Sequence, residues 1–102
     1  MSVEGTWKLS VATPIGVQEA RLVLRRDGDR LTGSMEHDKA SLEIVDGVLD
    51  GDVASWKVVK VITVVVKVRV TATFTVTVEG DRMHGTVAAG KFGTFDVTGQ
   101  PG

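Results

Sequence analysis

The chain has 102 residues, a net charge of -1 and a pI near 6.1. That bounds it to one domain with one modest core and argues against nucleic acid as a partner, since phosphates want a basic face. It has no cysteine, which excludes disulfides and thiolate metal sites.

Other classes fall away on pattern. No charged stretch followed by an apolar run opens the chain, so no signal peptide is expected. The lack of cysteine fits a reducing compartment and is also compatible with secretion; the expected location is the cytoplasm. The apolar run at 58–66 is far short of the ~20 residues of a membrane helix and carries Lys60, so no membrane partner is expected.

Taken in order, the chain reads as short strands between turns. Gly5-Thr6-Trp7 opens the first, with Trp7, Leu9 and Val11 on one face. Thr13-Pro14-Ile15-Gly16 is a turn, Pro fixing φ. The second strand, about 17–26, turns Ala20, Leu22 and Leu24 inward. Asp27-Gly28-Asp29 is a hairpin signal. The third, about 30–36, turns Leu31, Gly33 and Met35 inward, and Gly33 in mid-strand predicts a bulge or a close approach by another side chain. A fourth strand, about 40–45, follows the turn at His37-Asp38-Lys39. Asp46-Gly47 and Asp50-Gly51-Asp52 bracket a very short piece, Val48-Leu49. After the long run described next come a hairpin turn at Glu79-Gly80-Asp81, a strand at about 82–89, a turn, and a last strand that turns Phe95 and Val97 inward. The tail Gln100-Pro101-Gly102 is expected to fray.

The centre of the chain, 53–79, holds no Pro and no Gly. From Val66 onward it alternates strictly. Val66, Val68, Val70, Ala72, Phe74, Val76 and Val78 share one face, against Lys67, Arg69, Thr71, Thr73, Thr75, Thr77 and Glu79. A period of two with β-branched residues is a strand signal. The stretch needs two strands, about 54–61 and 64–79, yet no turn residue marks their boundary. A strand of ~15 residues spans about 50 Å, against a radius of gyration of ~13 Å for a domain of this size. It must bend, project, or pair with a second chain. The last option predicts a homo-oligomer, since unpaired Val-rich edges add strands. The fold class is therefore all-β, an antiparallel up-and-down barrel or flattened barrel of about eight strands.

One motif repeats. Asp27-Gly28-Asp29-Arg30-Leu31-Thr32-Gly33-Ser34 matches Glu79-Gly80-Asp81-Arg82-Met83-His84-Gly85-Thr86, with a fainter copy at Asp50-Gly51-Asp52-Val53. Shared hairpin chemistry accounts for it. Its carboxylates lie on separate hairpins, whereas a calcium loop gathers six or more oxygens in sequence, so no metal is expected.

Gly5-x-Trp7 resembles the opening of lipocalins and their calycin relatives, in which the Trp plugs one end of a barrel. Thr13-Pro14-x-Gly16, Gly28-Asp29-x-Leu31-x-Gly33, Asp46-Gly47, Gly51-Asp52, Trp56, Phe74, Gly80-Asp81-x-Met83-x-Gly85-Thr86-Val87 and Phe92-Gly93 together resemble small bacterial calycin-like β-domains, mostly of unassigned function. The resemblance implies a barrel with an apolar interior and an apolar plug role for Trp7. Residues 58–73 depart from it: a Thr-x-Pro-Met-like corner is missing, and the stretch reads as redesigned or strongly diverged. The last strand also offers no Arg to stack on the Trp.

Three functions are open to such a chain. The first is a barrel binding a small hydrophobic molecule near Trp7, Met35, Trp56, Phe74 and Met83, with Gly33, Gly85 and Ala72 leaving space and with no cofactor. The second is an enzyme. Lys60 shares parity with Trp56, Val58 and Ile62, and a lysine held among apolar groups becomes a nucleophilic amine. His37 shares parity with Met35 and is the candidate base. The third is an assembly domain that pairs through the Val-rich strand.

Overall fold

A computed structural model describes residues 3–14, 16–37, 40–63 and 67–102; the side chains of 60–63, 67, 68 and 91 lie outside the described set. Nine strand segments follow the two-residue rhythm: β1 (Gly5–Thr13), β2 (Gly16–Asp27), β3 (Arg30–His37), β4 (Ala40–Glu43), β5 (Val45–Asp50), β6 (Val53–Thr63), β7 (Lys67–Glu79), β8 (Arg82–Ala88) and β9 (Thr94–Pro101). A 3-10 turn, Gly90–Phe92, joins the last two.

All pairings are antiparallel. They run β2-β1-β9-β8-β7-β6-β5-β3, and β2 pairs again with β3, closing the ring. That is a closed barrel of eight strands, because β4 and β5 are two halves of one. Both pair with β3, at Met35↔Leu42 and at Leu31↔Gly47. Between them Ile44 N–H still donates to Gly33 O at 3.1 Å, and the register against β6 shifts between Val45 and Val48. Asp46, with φ of 53°, is the one non-glycine in the left-handed region among the described residues. The Asp46-Gly47 pair is thus a bulge in a strand rather than a turn before a separate short piece.

The hairpin repeat has one physical basis. Gly28, Gly51 and Gly80 have φ of 62°, 61° and 62°, and each opens a two-residue loop between the paired residues Asp27↔Arg30, Asp50↔Val53 and Glu79↔Arg82. A positive φ at the first loop position alone defines the II′ turn, whose twist matches the flanking strands. The turns cluster at one end of the barrel. There Leu49 N–H donates to Asp29 O at 2.8 Å and Val78 N–H to Asp52 O at 2.7 Å.

Inward residues fill the half of the barrel nearest these turns. Leu9, Leu22, Leu24, Trp56, Val76, Met83 and Val97 are fully buried, each stabilising the fold by about 1.5–3 kcal/mol. Trp7 is buried too, and its Nε1–H donates to Val3 O at 2.9 Å, tying the N-terminus to the closed end. The tail does not fray. Pro101 pairs with Trp7 and Gly102 N–H donates to Thr6 O at 3.1 Å.

The long β6–β7 hairpin both belongs to the barrel and leaves it. The two strands pair from Val53↔Thr77 to Thr63↔Lys67. Yet β5 accompanies β6 only as far as Lys57, and β8 accompanies β7 only as far as Thr73. From Val58 and Ala72 outward the hairpin is a two-stranded ribbon, giving extents of 45 × 26 × 24 Å. The boundary between the strands falls at 64–66, outside the described residues.

Candidate functional site

At the end opposite the three II′ turns the interior is not filled. A cavity of about 460 Å³ opens there, walled chiefly by Met35, Leu42, Val58, Ala72, Phe74 and Phe95. Strand parity explains the wall: these residues sit on the inward face of β3, β4, β6, β7 and β9, and Met35, Val58 and Phe74 are the open-end members of the buried core. The space comes from small side chains at that level, Ala20 and Ala72 among them. The rim is polar, with Thr13, Gln18, Glu19 and His37.

The floor carries an aromatic stack. Trp56 pairs with Phe74 across β6 and β7, the rings 5.4 Å apart and 9° from parallel. Phe74 lines the cavity, whereas Trp56, stacked on it and 1% exposed, does not. The Trp56 indole N–H is buried with no hydrogen-bond partner among the described residues, whereas the Trp7 N–H is satisfied. An orphaned buried donor costs about 1–3 kcal/mol. Replacing Trp56 by Phe therefore relieves a penalty while removing ring volume, and replacing Trp7 by Phe strands the Val3 carbonyl. Trp7→Phe is expected to destabilise more than Trp56→Phe, by about 1–3 kcal/mol in urea unfolding. Equal losses would mean that the Trp56 N–H is satisfied in solution.

The residues singled out from the sequence divide by depth. Met35, Phe74 and His37 meet at the cavity. Trp56 reaches it through the stack. Trp7 and Met83 belong to the packed half and do not line it. Lys60 pairs through its backbone with Val70 in β6–β7; its side chain is outside the described set. Gly33 and Gly85 do not line the cavity either. They mark strand contacts, where an added Cβ would lie 1.8 Å from Val23 O and 2.0 Å from Thr75 O. The close approach at Gly33 is thus made by backbone. Val11, Ala20, Leu42, Val58, Val87 and Phe95 were missed as wall residues. Inward parity marked several of them, but large aromatic and sulfur side chains drew the choice.

His37 stands at the rim. Its Nδ1 lies 2.8 Å from Glu19 O. A carbonyl only accepts, so Nδ1 carries the proton, and in the neutral ring Nε2 is the basic atom. Among the described residues no three His, Asp or Glu side chains gather as metal ligands, and no helix is long and apolar enough to cross a membrane.

Fold and site together define a closed eight-stranded antiparallel barrel with an apolar cavity at one end. No protein-family model, no curated protein and no solved structure matches the chain.

Proposed function

We propose that this is a calycin-like barrel that binds a small apolar or amphipathic molecule in the open-ended cavity. The observation that carries the reading is the wall: about 460 Å³, within the ~300–1,000 Å³ typical of small-molecule sites, apolar over most of its surface with a few polar groups at the mouth. The occupant that fits is a compact apolar body with a hydrogen-bonding head, the body against Phe74 and Met35 and the head beside Gln18 and His37. The up-and-down strand order and the buried Trp7 support the calycin reading.

Titration with an apolar fluorescent probe, anilinonaphthalene sulfonate, tests it. Trp56 stacks on Phe74, which lines the cavity, so filling the cavity is expected to change tryptophan emission with one-to-one saturation. A flat trace up to the probe's solubility limit would sink the proposal.

A second reading, catalysis, rests on the basic Nε2 that the Glu19 carbonyl leaves on His37. The alternative catalytic group is a nucleophilic amine from Lys60. Borohydride trapping with a small aldehyde, read by mass spectrometry, tests the lysine case; no adduct at Lys60 removes it.

A further inference from the structure

The ribbon formed by the outer halves of β6 and β7 lacks what keeps β structure stable in water. From Val58 to Thr63 it runs five residue steps, about 17 Å at ~3.3 Å each, with no third strand paired to it among the described residues. An isolated two-stranded hairpin is marginal on its own, and three or more strands are needed for stability.

The hydrogen-bond phase shows which groups stand open. Val78 N–H donates to Asp52 O, one step beyond the Val53↔Thr77 pair. Antiparallel ladders alternate, so even-numbered residues of β6 and β7 turn their peptide groups toward each other and odd-numbered ones turn away. Past Lys57, the last residue that β5 pairs, the outward peptide groups on β6 are those of Val59, Val61 and Thr63. Past Thr73 on β7 they are those of Thr71, Arg69 and Lys67. β4 runs near β6, but the two are not paired as strands among the described residues.

The residues whose peptide groups turn outward differ in charge between the two edges, although Lys60 also lies on β6. The β7 edge carries Lys67 and Arg69, the kind of residue that blunts strand addition. The β6 edge carries Val59, Val61 and Thr63, β-branched and uncharged, which favours it. We infer that the free edge of β6 pairs with the same edge of a second copy, antiparallel about a two-fold axis at Val61. In this register Val59 of one copy faces Thr63 of the other, and Lys60 faces Ile62, so no cation meets a cation. A register centred one residue earlier would set Lys60 against Lys60, and like charges directly opposite are unfavourable. The product is a four-stranded sheet, β7-β6-β6-β7, bridging two barrels. Such a contact is isologous and closes on itself. It does not depend on what the cavity binds.

Sedimentation velocity at high micromolar concentration tests the inference. The wild type is expected at twice its 10.9 kDa chain mass. Val61→Pro removes an outward N–H and leaves the even-numbered β6–β7 bonds intact, so it is expected to be monomeric with unchanged tryptophan emission. Val61→Lys, which sets like charges across the axis, is expected to be monomeric as well and covers the case in which the proline variant does not fold. Arg69→Pro removes the matching N–H from the β7 edge and is expected to stay dimeric. A monomeric wild type overturns the inference, as does a dimer that survives both Val61 substitutions or one that is lost only in Arg69→Pro.

Discussion

Gly33→Ala is expected to cost about 2–6 kcal/mol of unfolding free energy, combining overpacking of ~1–3 kcal/mol with backbone strain of ~1–3 kcal/mol. A domain of this size holds about 5–15 kcal/mol in total, so a large share of the stability goes. The new methyl would sit 1.8 Å from Val23 O, 2.9 Å from Val23 C and 3.3 Å from Leu24 Cα, at a φ of +145°. All three atoms are backbone of the strand that Gly33 pairs with at Leu24, so relief requires prying β2 from β3 where the barrel closes. Gly28→Ala is the comparison. Its φ is +62°, but nothing lies within 4 Å of the added carbon, so only the left-handed backbone is penalised, at about 1–2 kcal/mol. Urea unfolding of the two variants separates crowding from conformation. A Gly33→Ala protein as stable as Gly28→Ala would mean that the strands at Gly33 are further apart than described.

The same pair of glycines shows what the sequence carried and what it did not. The repeat was visible because the turn and the second glycine recur at one spacing, Gly28 with Gly33 and Gly80 with Gly85. Its turns follow from local chemistry and were legible. The second glycine's role was not: it depends on how closely the next strand passes, which is set by barrel curvature and not by neighbours in sequence. The faint third copy has Trp56 where the others have the second glycine, and its ring stacks on Phe74.

Strand existence was legible wherever one face is buried, because alternation records burial directly. Breaks were harder. Asp46-Gly47 has turn composition, yet in the barrel it lets β4 and β5 share β3 as partner while shifting register against β6. A bulge and a turn use the same residues, and only the pairing tells them apart. The β6–β7 boundary carried no composition signal at all. The ribbon's reach was nevertheless foreseeable from arithmetic on strand length, and it is met by projection. For the site, parity separated inward from outward residues, which brought Met35, His37 and Phe74 to the cavity. Parity cannot say how deep an inward residue lies. Depth depends on register across eight strands, and it sent Trp7 and Met83 into the packed half.

Ala72→Trp is expected to weaken probe binding at least tenfold while leaving the fold intact. Ala72 pairs with Val58 one level above the Trp56–Phe74 stack and is half-buried against the cavity. A Trp ring there would bury about 150–250 Å² of its own surface in space now open to the ligand. It suits a strand better than Ala does, and filling a cavity commonly adds about 0.5–2 kcal/mol. The signature is therefore two-sided: affinity falls by about 1.4 kcal/mol or more, the equivalent of tenfold, while the urea midpoint holds or rises. A merely damaged protein would lose both. Thr71→Trp places the same ring on the neighbouring residue, which is exposed and faces outward, so its affinity is expected to match the wild type. Should Ala72→Trp bind the probe as tightly as the wild type, the probe sits elsewhere, and the cavity between Phe74 and the rim at His37 is not the binding site.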